Sequence, residues 1–125
     1  MNAKVLIVDD SALARRTLRQ ALEEQGHQVE EASDGAEALE RFYINKPELV
    51  ILDMVMKGMY GLEVLTKMLQ MNSDARVIVA TADIQTTTAE QVRAAGAKAI
   101  LNKPVNRQQL AVTIKLVLEG GNTWN

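Results

Sequence analysis

Short apolar runs separated by stretches of helical periodicity recur five times along the chain. Val5–Val8, Val50–Leu52 and Val77–Ala80 are continuous and rich in β-branched residues, as in strands buried on both faces. With weaker counterparts they predict strands at roughly 4–9, 27–32, 48–53, 76–81 and 98–102. The first intervening helix has an expected inward stripe of Leu13, Leu18, Ala21 and Leu22, with Arg15, Arg16, Arg19 and Glu23 toward water. Ser11 caps it and Gly26 stops it. Asp34 with Glu37 opens the second as a capping box, Leu39 and Phe42 are its apolar positions, and Pro47 lies beyond its end. Leu62, Leu65, Met68 and Leu69 share a face of the third helix, and Gly96 follows a weakly apolar fourth. Pro104 and Asn106 open the last, where Leu110, Ile114, Val117 and Leu118 face inward and Val112 and Leu116 lie exposed on the opposite side. Such alternation predicts an α/β three-layer sandwich, a five-stranded parallel sheet with right-handed crossovers and helices on both faces.

At 125 residues the chain reads as one domain, 1–125, with a polar tail at 120–125 expected to fray. Fourteen Lys and Arg against sixteen Asp and Glu give a net charge of -2, which offers no general attraction for nucleic acid or anionic lipid. No cysteine is present, so disulfides and thiol chemistry are excluded and a reducing compartment is consistent. The amino terminus lacks a signal-peptide pattern and no apolar run reaches membrane-spanning length. A cytoplasmic protein is the expectation.

The chemistry gathers at the strand ends. Asp9 and Asp10 follow the first apolar run, Asp53 ends the third, Thr81 ends the fourth and Lys103 follows the fifth. In an open parallel sheet the ligand crevice lies beyond the carboxyl ends of the strands, so these five side chains converge there. Three crowded carboxylates call for a cation or a proton, and a hard divalent ion, Mg2+, suits oxygen ligands. Metal and ammonium neutralise phosphoryl oxygens, a hydroxyl donates to one of them, and a carboxylate attacks phosphorus. Asp53, ending a central strand opposite the acidic pair, is the candidate nucleophile.

The pattern Asp9-Asp10-Ser11, Asp53 with Gly58 and Gly61 after it, Thr81-Ala82 and Lys103-Pro104 resembles the receiver domain of two-component response regulators, over residues 3–120. In length the chain is similar to the stand-alone, CheY-like members, which have a flavodoxin-like fold. The resemblance implies that Asp53 accepts a phosphoryl group from a histidine kinase or small phosphodonor. It implies Mg2+ bound by Asp10, Asp53 and the backbone carbonyl of Val55, with Asp9 acting through water. Thr81 would move toward the phosphoryl group, Lys103 would pair with it, Ala82 would leave room for the donor, and the Lys103–Pro104 bond would be cis. The implied protein is a phosphoacceptor rather than an enzyme, with self-phosphotransfer and autodephosphorylation only. Its partner would be a flagellar motor switch in chemotaxis or another signalling protein, and a relay intermediate or phosphate sink is the alternative.

Several positions depart from the family pattern. Ile100 stands where many receivers carry an aromatic switch residue, so the change on phosphorylation is expected in the loop 82–87 and the start of the fourth helix. Lys57 and Tyr60 replace the common proline and small polar residue of the loop after Asp53. Val55 is apolar where the side chain often tunes phosphoryl lifetime, and Asp83 adds a carboxylate near Thr81. Val112 and Leu116 are read as part of a partner surface. His27 reads as an ordinary surface residue, most methionines as core filling, and the sequence leaves open whether Trp124 folds back. Two other classes compete. A phosphatase of the haloacid-dehalogenase type wants an Asp-x-Asp pair and a cap, and a flavodoxin-like nucleotide module wants a Gly/Ser/Thr-rich phosphate loop where Asp9-Asp10-Ser11-Ala12 stands.

Overall fold

A computed structural model describes residues 2–56, 58–82 and 85–124, apart from the side chains of residues 86 and 87. Strands and helices alternate throughout: β1 (Lys4–Val8), α1 (Ala12–Glu24), β2 (Gln28–Ala32), α2 (Gly35–Asn45), β3 (Leu49–Asp53), α3 (Gly61–Met71), β4 (Val77–Thr81), α4 (Thr86–Ala94), β5 (Ala99–Asn102) and α5 (Arg107–Leu118). The strands form one parallel sheet in the order β2-β1-β3-β4-β5. Val8 pairs with Leu52, so β1 and β3 deliver Asp9 and Asp53 side by side.

Successive residues of each central strand point to opposite faces, and each face is closed by its own helices. Leu6, Val8, Val50, Leu52, Val77 and Val79 pack with Phe42 of α2, Leu65 and Met68 of α3 and Val92 of α4. Val5, Ile7, Leu49, Ile51, Ile78 and Ala80 pack with Leu18 and Leu22 of α1 and Leu110, Ile114 and Val117 of α5. Each fully buried aliphatic side chain contributes roughly 1.5–3 kcal/mol. That anchoring makes β1 and β3 stiff enough to hold mutually repelling charges at their ends.

The caps form as the sequence predicts. Ser11 accepts from the Ala14 amide at 3.2 Å, Asp34 from Glu37 at 2.8 Å and Asn106 from Gln109 at 3.0 Å. Lys103–Pro104 is cis. Four expectations need correction. Leu13 is 70% exposed, because at 100° per residue it lies about 140° around the helix from Leu18. Arg15 and Arg19 turn from water to the β2 carboxylate of Glu31, at 2.9 and 2.6 Å. His27 is buried, its Nδ1 accepting the Ala3 amide at 3.1 Å. Where a frayed tail is expected, Trp124 folds back, donating from Nε1 to the Ala97 carbonyl at 2.6 Å beneath the guanidinium of Arg93. The Thr123 amide reaches the Lys98 carbonyl at 3.0 Å. An indole that packs on the α3–α4 face of the core outweighs the entropy of a short polar tail.

Candidate functional site

At the carboxyl edge the ends of β1, β3, β4 and β5 supply the parts of the site. Asp9 is 2% exposed and Asp53 8%, whereas Asp10 lies on an exposed bend. One carboxylate oxygen from each of these three residues falls within 4.8 Å of the others. Lys103 reaches in from beyond β5, its Nζ 2.6 Å from Asp9 Oδ2 and 3.4 Å from Asp53 Oδ2. Thr81 is buried at the end of β4, and its carbonyl accepts the Lys103 amide at 2.9 Å. Four of the five side chains singled out from the sequence, Asp9, Asp10, Asp53 and Lys103, therefore meet in one crevice, and the backbone of the fifth, Thr81, holds the start of the Lys103 segment.

Asp9 is the most constrained of them. Its amide donates to the Ala32 carbonyl at 3.1 Å, its Oδ1 accepts the Ser11 amide at 2.9 Å and its Oδ2 takes the short contact from Lys103. Asp53 is held more loosely, accepting the Val55 amide at 3.4 Å. Burial pushes the Asp53 carboxyl above its ordinary range and Asp9 adds to the push, against Lys103 and the Val55 amide. Burial also works against the Lys103 ammonium, but Asp9 and Asp53 together outweigh it and raise its pKa. The two groups respond differently because Lys103 makes its closer contact with Asp9. Three carboxylates against one ammonium leave the crevice electron-rich, and an all-oxygen cluster of this size fits a hard divalent cation such as Mg2+.

The loop after Asp53 is shaped by Gly61. A Cβ there would lie 2.5 Å from Met54 Cα and 2.6 Å from the Asp53 carbonyl oxygen, so only glycine lets α3 start against the end of β3. The Gly61 amide closes this approach on the Met54 carbonyl at 2.9 Å. Met54 and Met56 are buried and Val55 and Tyr60 exposed, while Lys57 lies outside the described residues. So do Asp83 and Ile84, and with them much of the loop expected to carry the switch. Ile100 is half-buried against the α4 side of the core. Val112 and Leu116 are exposed, at 69% and 38%, on α5 and outside the crevice.

Two features escaped the sequence reading. Leu13, Ala14 and Leu18 of α1 face Pro104, Val105 and Leu110 across a groove of about 510 Å³ that opens beside Lys103. The Arg15–Glu31–Arg19 cluster borders the Asp9–Asp10 turn. The signal was Glu31 in the short strand β2, an acidic residue facing the arginines of the preceding helix, whereas Glu30 beside it accepts from Asn45.

A parallel sheet of this order with helices on both faces and a carboxylate cluster at its carboxyl edge defines a flavodoxin-like α/β domain with a candidate cation site. Residues 5–115 match the response regulator receiver domain family, and the chain belongs to it. It is 37% identical over 121 residues to the protein PilH of Pseudomonas aeruginosa, covering 94% of this chain and 99% of that one. It is 33% identical over 118 residues to sporulation initiation phosphotransferase F of Bacillus subtilis, covering 94% and 95%. The chain spans about half (51%) of a longer relative, response regulator MprA of Mycobacterium sp. (strain KMS), at 35% identity over 94% of this chain. Among solved structures, a CheY-like receiver domain protein from Methanospirillum hungatei superposes with a TM-score of 0.90 at 29% identity, covering 95% of each chain. A CheX-CheY-BeF3-Mg complex from Borrelia burgdorferi gives 0.88 at 29%, covering 91% and 87%. The fold is therefore the flavodoxin-like, CheY-like one, in a family of phosphoacceptor signalling domains.

Proposed function

We propose that this chain is a phosphorylation-controlled switch whose phosphoacceptor is Asp53. The observation that carries the reading is the convergence of the Asp53 carboxylate with Asp9, Asp10 and the Lys103 ammonium at the ends of adjoining strands. Asp53 attacks phosphorus, a P–O bond forms, and the bond from phosphorus to a kinase histidine nitrogen or to the oxygen of a small acyl phosphate breaks. The departing imidazole takes a proton from solvent. Asp10, Asp53 and the Val55 carbonyl would hold Mg2+, with Asp9 contributing indirectly. When bound, the ion supplies charge neutralisation for the phosphoryl oxygens. Lys103 shifts from Asp9 toward the new phosphoryl group and Thr81 donates its hydroxyl to it. The apolar groove beside Lys103 gives a donor protein a place to rest while its phosphohistidine enters the crevice. Membership of the family makes a histidine kinase the natural source of phosphoryl.

Output follows from a changed affinity for a partner protein, through the α4 side of the fold and the Val112/Leu116 face of α5. The name of the Bacillus relative, a phosphotransferase, favours relay of the phosphoryl group as the second reading. Among the described residues no helix is long and apolar enough to cross a membrane.

Incubation with acetyl phosphate and Mg2+, followed by intact mass, tests the chemistry. One acid-stable, base-labile phosphoryl group is expected on the parent and none on Asp53→Asn. Labelling of that variant at the parental rate would overturn the assignment. Transfer of the label onto a second histidine-containing protein would select the relay reading over the terminal switch.

A further inference from the structure

Arg15 sits where the helix periodicity points to water, yet its side chain is only 18% exposed and its guanidinium bridges two elements. Nη1 donates to the main-chain carbonyl of Asp9 at 2.7 Å and Nε to Glu31 Oε1 at 2.9 Å. Glu31 is fixed in turn, its other oxygen accepting Arg19 Nε at 2.6 Å, while Arg19 Nη2 donates to the Val29 carbonyl at 3.1 Å. Burial alone would raise the Glu31 carboxyl, but the two arginines outweigh it and keep Glu31 charged. The β1–α1 turn is thereby tied to β2 through a planar fork, in addition to the Asp9 amide bond to Ala32. Only a guanidinium spans a carboxylate and a carbonyl in one rigid geometry; a lysine ammonium on a flexible stem does not.

We propose that Arg15, braced by Glu31, is a positioning residue that fixes the Asp9–Asp10 turn and so sets the affinity of the carboxylate cluster for a divalent cation. This rests on the metal-assisted reading of the site. Charge and position pull in opposite directions here. A cation beside the cluster repels a metal ion, so if Arg15 acted by charge alone its removal would tighten binding. If it acts by holding the turn, removal weakens binding, on the scale of about tenfold for a partner that orients metal ligands.

The experiment is a Mg2+ titration of the full chain followed by amide shifts, with the urea midpoint recorded for each variant. Arg15→Met and Arg15→Lys are each expected to weaken Mg2+ binding about tenfold, with lysine failing to rescue although it keeps the charge. Glu31→Gln, which leaves Arg15 in place but loosens it, should weaken binding by less than the Arg15 variants yet measurably, and decides the matter should those variants not fold. Parental or tighter binding by folded Arg15→Met and Arg15→Lys, or by Glu31→Gln where they do not fold, overturns the proposal while the metal site stands. Absence of Mg2+ binding in the parent overturns the reading of the site and this proposal with it.

Discussion

The two edges of the sheet are built from the same strands and treat polar groups in opposite ways. At the amino edge polar groups pair with single complementary partners: His27 Nδ1 accepts from the Ala3 amide, the Gln28 amide donates to the Ala3 carbonyl at 2.9 Å, and the Trp124 indole donates to the Ala97 carbonyl. The carboxyl edge buries Asp9 and Asp53 against each other with Lys103 shared between them. A satisfied hydrogen bond stabilises by about 1 kcal/mol, whereas like charges brought together out of water destabilise. One edge closes the fold, and the other holds electrostatic tension that a bound cation can relieve.

The largest effect should come from Gly61→Ala, which forces a methyl group onto the backbone of Met54 and Asp53. A loss of about 3 kcal/mol in urea unfolding is expected, together with slowed labelling by acetyl phosphate. Full stability with normal labelling would show that the carboxyl edge yields more easily than its packing implies. At the other edge Trp124→Ala should cost about 2 kcal/mol and leave the labelling rate unchanged, since only packing and one hydrogen bond are lost. A matching fall in labelling would mean that the edges are coupled through α4.

Asp53→Asn has the opposite sign. The folded-state pKa of Asp53 is raised, by burial first and Asp9 next, so its stabilising contribution is complete at low pH and is lost as pH rises through the folded value. A neutral amide retains it at pH 7. The variant's urea midpoint in chelator should therefore exceed the parent's, and added Mg2+ should close the gap by stabilising the parent alone. A lower midpoint in chelator would show that attraction by Lys103 dominates.

The smallest effect belongs to His27, whose pKa is lowered by burial. The neutral ring stabilises above the ordinary histidine value of about 6.5, and that contribution is lost as pH falls through the lower folded value. Protonation also removes the lone pair that accepts the Ala3 amide. Urea midpoints from pH 7.5 to 5 should fall more steeply for the parent than for His27→Gln, and parallel profiles would remove His27 from the contrast between the edges.

By itself the sequence determined the order of elements, every strand to within a residue at each end, the caps at Ser11, Asp34 and Asn106, and the convergence of Asp9, Asp10, Asp53 and Lys103. These are consequences of local chemistry and of one topological rule: continuous β-branched runs must be buried, parallel strands must cross over, and the polar residues that end the runs must gather at one edge. The tertiary structure decided the rest. Leu13 lines a groove, Arg15 ties the acidic turn to Glu31, His27 is sealed under Ala3 and Trp124 lies against Ala97. Each depends on a partner distant along the chain or on which side of a helix a neighbour happens to cover. Periodicity assigns a residue to a face, and only packing determines what that face meets.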